Sequence, residues 1–230
     1  MEDRGRILDA FVAWSLCFLA GSSVLVGQSS GSIQGRVSAE AGGAILGAFV
    51  TAYRQGTPPA SGGAAAAADG NFRIANLPAG AYALCVQAPG YLDPCRWSLK
   101  QIVVTLTAGQ ASAGNLLRIK KGSTLRVRLN DPGRVLQAQG RAAPRHVLIG
   151  VLRQGFFHPA SVASKDASGA NYELTIPPDT PLTLSVFSKQ ARLADAKGSP
   201  IAATGLSQSF QQKSGDATPP VFTFTVVGPA

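Results

Sequence analysis

Few residues of this 230-residue chain are of types that do acid-base, metal or nucleophilic chemistry, and their spacing argues against each use. The two histidines, His146 and His158, stand twelve residues apart with no carboxylate at a ligand spacing. Zinc sites usually show a clustered pair and a third ligand, so no metal site is expected. Glu173 falls between Tyr172 and Leu174 on the polar side of a strand and lacks the carboxylate partner that general-acid work would need. Past Gly31 no Gly-x-Ser-x-Gly elbow occurs, and Asp166 and Ser168 read as ordinary turn residues. The chain is therefore not expected to be an enzyme, and no cofactor is implied.

Residues suited to binding are more frequent. A flat aromatic ring packs well against the apolar face of a sugar. Tyr91 and Trp97, and Phe156 and Phe157 in a loop ahead of His158, are the candidate carbohydrate-binding residues. Each also has a packing reading: Tyr91 closing a sandwich end, Trp97 covering a loop. From Arg118 to Arg153 nine basic residues (Arg118, Lys120, Lys121, Arg126, Arg128, Arg134, Arg141, Arg145 and Arg153) face one acid, Asp131. Such an excess attracts polyanions by counterion release; the competing reading is a solvated basic face with no partner.

The elements that would position these groups are short strands. Fifteen Pro and 26 Gly, with 45% apolar and 14% charged residues, indicate many strands joined by turns, not disorder. The most regular stretch is Asp69 to Tyr91, where Phe72 and Ile74, then Tyr82, Leu84 and Val86, alternate with other residues about a Leu-Pro-x-Gly corner. It reads as a core hairpin. Ile33 to Val37, Ala48 to Tyr53, an Ala-rich edge strand before Asp69, Ile102 to Leu106 and Leu116 to Ile119 bring the count to about seven strands. That is the number of a small antiparallel sandwich.

Past Lys121 the pattern restarts. Leu125, Val127 and Leu129 repeat Ile33, Gly35 and Val37 at an offset of 92. Tyr172, Leu174, Leu182, Leu184 and Val186 lie 100 residues beyond Phe72, Ile74, Tyr82, Leu84 and Val86. A second copy of one module follows, with further strands expected near His146 to Leu152, Ile201 to Thr204 and Val221 to Val227. The fold class expected is all-β, two tandem antiparallel sandwiches over residues 31–120 and 122–229.

The first 27 residues differ. A short charged segment precedes the apolar run Ala10 to Ala20 and then small residues, the order of a secretory signal peptide cleaved near Gly27. An uncleaved anchor is the rival, because Ala10 to Val26 gives 17 residues, the lower limit for a bilayer. Removal of residues 1–27 leaves 19 basic and 9 acidic residues, a formal charge of +10, and only Cys85 and Cys95. An even pair in an exported chain is most simply a disulfide, with two unpaired thiols as the alternative. A loop this small gains about 2 to 3 kcal/mol in the chain-entropy model.

Taken together, GSIQGRV, GAILGAFVTAY, DGNFRIANLPAGAYALCV and APGY resemble the carboxypeptidase regulatory-like domain, a transthyretin-like or prealbumin-like sandwich of seven strands. The resemblance covers about residues 31 to 119, and the second half resembles the same fold more loosely. It implies a non-catalytic accessory module of secreted or surface-displayed proteins, in some relatives starch-binding-like or an accessory part of a hydrolase complex. The isopeptide crosslink of some related adhesin modules is not expected, since the first strand offers Arg36 and no lysine. The functional expectation is binding or scaffolding in a secreted, periplasmic or cell-surface setting, with carbohydrate binding as the alternative. The partner is a protein or polysaccharide at the cell surface, or a polyanion; nucleic acid is not expected, and a membrane only through an uncleaved N-terminal segment.

Overall fold

The computed structural model describes residues 30–54, 56–97, 101–137, 145–216 and 218–230. The expected signal segment, residues 1–27, and Arg141 lie outside them. Every element among the described residues is a strand: β1 (Gly31–Ala39), β2 (Phe49–Arg54), β3 (Ala60–Ala65), β4 (Asn71–Leu77), β5 (Gly80–Gln87), β6 (Ile102–Leu106), β7 (Ala111–Ile119), β8 (Ser123–Asn130), β9 (Leu148–Arg153), β10 (Phe156–Pro159), β11 (Ser161–Asp166), β12 (Gly169–Ile176), β13 (Leu182–Phe187), β14 (Ala191–Ala194), β15 (Leu206–Phe210) and β16 (Val221–Pro229). No helix among these residues is long and apolar enough to cross a membrane.

The strands form two sandwiches. The first packs a three-stranded sheet, β4-β1-β7, on a four-stranded one, β3-β2-β5-β6. The second packs β11-β12-β8-β16-β14 on β10-β9-β13-β15. Once the added edge strands β11 and β14 are set aside, the two orders are the same. Register agrees residue by residue. Ile33 faces Ile74 and Gly35 faces Phe72, as Leu125 faces Leu174 and Val127 faces Tyr172. Val50 and Ala52 face Val86 and Leu84, as Ile149 and Val151 face Val186 and Leu184. Because side chains alternate across a strand, matched registers put matched positions into the core. Ile33, Ile74, Tyr82 and Leu84 are buried in one core, Leu125, Leu174, Leu182 and Leu184 in the other.

Three sequence expectations are corrected. The stretch Asp69 to Tyr91 is not a hairpin: β4 pairs with β1 and β5 pairs with β2 and β6, so the chain crosses between sheets at Leu77 to Gly80. Tyr82 braces that corner by donating its hydroxyl to the carbonyl of Pro78 at 2.7 Å, and burial raises its pKa. The same crossing separates β12 from β13. Secondly, each module's first strand pairs in parallel with its last, β1 with β7 and β8 with β16, inside an otherwise antiparallel arrangement. Thirdly, the strand expected at Ile201 to Thr204 stands instead at β15. Ile201 is used in a turn, its amide donating to the carbonyl of Leu193.

The Ala-rich tract does supply an edge strand, β3, where small side chains let Gly62 approach Ile74 and Leu77 of the opposite sheet. The turn after it needs glycine: Gly70 has φ +85°, and a Cβ there would stand 2.4 Å from the carbonyl oxygen of Val37. Leu84 and Leu184 are equivalent and buried, so replacing either with alanine is expected to cost about 2–5 kcal/mol of stability. Denaturant unfolding of each variant checks this; a loss below about 1 kcal/mol at one of them would show that the two sites are not matched core positions.

Candidate functional site

The densest convergence of unusual side chains lies where the two sandwiches meet. The loop after β5 carries Tyr91 to Trp97, and its base is fixed by the Cys85–Cys95 disulfide, with the two Cα atoms 5.4 Å apart. Cys85 is on the outward face of β5, as alternation with Leu84 and Val86 requires. The Asp-Pro-Cys turn is closed by the Asp93 carboxylate, which accepts the amide of Cys95 at 2.9 Å. Burial raises the Asp93 pKa, opposed by backbone hydrogen bonds from Cys95, Arg96 and Val86. Asp93 and the two sulfurs lie close enough together to suggest a metal cluster. The sulfurs are bonded to each other, however, and offer no thiolate to a metal.

Stapled in this way, the loop delivers its apolar side chains to the second sandwich. Leu92 and Trp97 belong to the second hydrophobic core, not the first. The ring of Trp97 stacks on that of His158 with centroids 4.2 Å apart and planes inclined by 18°. Two arginines cross the junction in opposite directions: Arg96 donates to the carbonyl of Pro159, and Arg153 donates to the carbonyl of Trp97. Backbone bonds complete the seam, Leu92 to Lys120 at 2.9 Å and Gly122 to Gly90 at 2.9 Å. Tyr91 bridges to Lys121 and packs on the first core.

These positions correct the expectation for Trp97. At 1% exposure its ring has no face left for a sugar, and packing claims it. Phe156 and Phe157 are exposed, at 67% and 38%, and sit on the edge strand β10 beside β9. They are not brought together with Tyr91, which lines a cleft of about 610 Å³ at the junction with Phe49, Asp93, Arg96, Glu173 and Thr175.

The basic surface is only partly available. Arg126 pairs with Glu173 at 3.0 Å across β8 and β12, which also gives Glu173 a role other than acid catalysis. Arg128 makes a two-pronged pair with Asp166, at 2.6 and 3.0 Å, and also donates to Asn130 and Ser168. That guanidinium holds the Asp166 carboxyl well below the usual range, helped by Ser168. Arg145 and Arg153 donate to carbonyls. Arg118, Lys120 and Lys121 form no ion pair among the described residues. Sequence reasoning missed the partners of Arg126 and Arg128 because they lie 47 and 38 residues away. It missed the reach of Trp97 because a loop gives no periodic signal of where it packs.

Residues 32–117 match the model of the carboxypeptidase regulatory-like domain. The first sandwich is therefore a domain of that family. Among solved structures, the chain is similar to the TIE protein of Bacillus anthracis, at 16% identity over 86% of this chain and 34% of that one, with TM-score 0.32. It is also similar to a streptococcal ancillary pilin, at 11% identity over 87% of this chain and 63% of that one, with TM-score 0.41. A DUF3823 family protein of Bacteroides ovatus is 12% identical over 86% of this chain and 99% of that one, with TM-score 0.30. The chain thus spans about a third and somewhat under two thirds of the length of the first two. No curated protein matches it in sequence.

His158 gives the junction a pH dependence. Burial lowers its pKa, and Arg96 and Arg153 nearby lower it further. The folded state therefore resists protonation more than the unfolded chain, whose histidine titrates near about 6.5. Stability present above that value is lost as pH falls toward the folded-state pKa. Thermal unfolding between pH 7.5 and 5 should show a falling midpoint, and His158→Phe, which keeps a ring against Trp97, should flatten that slope. An unchanged slope would show that His158 does not set it. Trp97→Ala is expected to lose about 3–5 kcal/mol, with the second sandwich losing its near-ultraviolet and exchange-protection signals first.

Proposed function

We propose that the protein is a non-catalytic binding and scaffolding protein that works outside the cytoplasm, in a periplasmic, secreted or cell-surface setting. The single observation carrying this is the disulfide-latched plug. Cys85–Cys95 holds the loop that seats Trp97 in the second sandwich, so the junction depends on a bond that persists in oxidising compartments. A further support is that the polar side chains at the junction and on β8 and β12 are engaged with one another. Arg126 with Glu173, Arg128 with Asp166 and Asp93 with backbone amides are arranged as structural pairs. The carboxypeptidase regulatory-like domain, as an accessory module, agrees with this reading. Its partners are proteins or polysaccharides of the cell surface, and the exposed Arg118, Lys120 and Lys121 suit the rim of a contact with an anionic one. An N-terminal segment retained as an anchor would place it on a membrane.

The test is to recover the chain from its host with free thiols alkylated at the moment of lysis. The expected result is a chain in the fraction outside the cytoplasm, with Cys85 and Cys95 unmodified and an intact mass that rises by two hydrogens on reduction. Alkylation of both cysteines in a cytoplasmic fraction would overturn the proposal.

A further inference from the structure

The outer faces of the sheets divide by charge. In the first sandwich the four-stranded sheet turns Phe49, Thr51 and Tyr53 of β2 outward, next to Ser61, Gly63 and Ala65 of β3. In the second, the matching sheet turns out Phe157, Gly150, Thr183, Ser185, Ser207 and Ser209. Among the described residues the outward positions of these strands carry no charged side chain; Asp93, Arg96 and Glu173 line the cleft at the margin of the first, beside Phe49. The charges are on the other sheets, at Arg36, Arg73 and Arg118 of the first sandwich and Arg126, Arg128 and Glu173 of the second.

Each uncharged face carries the same device. A Cβ placed on Gly63 would stand 2.7 Å from Cε1 and 2.8 Å from Cζ of Phe49. One placed on Gly150 would stand 2.6 Å from Cζ and 2.9 Å from Cε2 of Phe157. In both sandwiches, then, the tip of a phenyl ring lies over a glycine on the neighbouring strand; at Gly150 a Cβ would also stand 2.4 Å from the carbonyl oxygen of His158. The far end of each ring thus sits over the glycine, and the side chain stays partly open to solvent. Phe49 is 44% exposed, Phe157 38% and the adjacent Tyr53 48%. Hydroxyls of Thr51 and Ser61 flank the first ring, and those of Thr183 and Ser209 lie in the row of Leu152, the cross-strand partner of Phe157.

We infer that these two faces bind a neutral polysaccharide, with Phe49 and Phe157 as the stacking rings. Three features select that chemistry. An uncharged face gives no counter-charge to a polyanion or to an anionic lipid surface, which would favour the sheets that carry the arginines. An extended peptide adds to a sheet edge through backbone bonds, whereas Phe49 stands on the central strand β2. A pyranose chain has a C–H face that matches an outward ring and uncharged hydroxyls that exchange hydrogen bonds with Ser and Thr. The inference rests on the binding reading above and gives it a ligand class and a surface.

A ring over a glycine also stabilises a sheet by itself, so the test must keep the cover while removing the π-face. Phe49→Leu and Phe157→Leu do this, singly and together. Affinity electrophoresis in gels holding a soluble glucan, xylan or mannan, with pull-down on insoluble cellulose and chitin, reads the effect against Arg118→Gln as a charged-face control. The expected result is retardation or capture of the wild type by at least one neutral polysaccharide, weakened about tenfold or more in the double variant and unchanged in Arg118→Gln. Thermal melts confirm that the variants are folded. Absence of binding to every neutral polysaccharide overturns the inference, as does equal binding by a folded double variant. So does binding confined to an anionic polysaccharide and lost in Arg118→Gln. None of these outcomes touches the extracytoplasmic reading, which stands or falls on the oxidation of Cys85 and Cys95.

Discussion

The structure depends most on the burial of one side chain far from where its strand left it. Trp97 follows β5 of the first sandwich in sequence but completes the core of the second. An indole of this size contributes several kcal/mol when fully buried, yet a ten-residue connection would normally be too loose to hold it there. The Cys85–Cys95 bond removes that freedom, because it ties the loop back onto β5 two residues before the tryptophan. What the disulfide restricts in the loop, the tryptophan converts into contact with the other module. Arg96 and Arg153 then satisfy carbonyls on opposite sides of the seam, those of Pro159 and Trp97.

A consequence is that the two sandwiches are repeated in topology but not in dependence. Their strand orders and registers coincide at the core, and each begins with a strand that pairs in parallel with its last. Only the second receives a plug from its neighbour. It also carries β11 and β14, which cover the outer edges of β12 and β16. Covering an edge removes a template for unwanted pairing. In the first sandwich the loop bonds instead to the link that follows β7, Leu92 to Lys120 and Gly122 to Gly90. One segment thus ties down the link between the modules and completes the core of the second.

This explains which parts of the fold were legible in the residues. Period-two alternation identified Ile33, Phe72, Ile74, Tyr82, Leu84 and their later counterparts as core, because the pattern is local. It did not say which strand each pairs with. Leu77-Pro78-Ala79-Gly80 serves a hairpin or an arch between sheets equally well, since proline and glycine report a change of direction and not a partner. Cys85 and Cys95 were legible as a pair because they are the two cysteines outside residues 1–27, the expected leader. Trp97 was not, since an isolated aromatic beside a disulfide carries no information about the surface it will meet. Arg126 and Arg128 looked like free charge for a related reason: their acids, Glu173 and Asp166, come from strands whose register is a tertiary property.

The division of charge between sheets follows from the same limit and sharpens the functional reading. In β2 the sequence shows apolar bulk on both faces, Val50 and Ala52 on one and Phe49 and Tyr53 on the other, as a central strand covered on both sides would. The strand is central, but its second face is open. An open face with no charge is a liability in an isolated domain, where lysine or glutamate would keep it soluble. The net positive charge carried on the opposite sheets supplies solubility without using this one. The tips of the two phenyl rings then rest on glycines, a residue that weakens a strand interior. That cost is met twice, on corresponding sheets of the two modules but from different strands, the ring coming from β2 in one and from β10 in the other. The match is therefore one of sheet face and not of strand position, and at Gly150 the close approach of the His158 carbonyl calls for glycine as well.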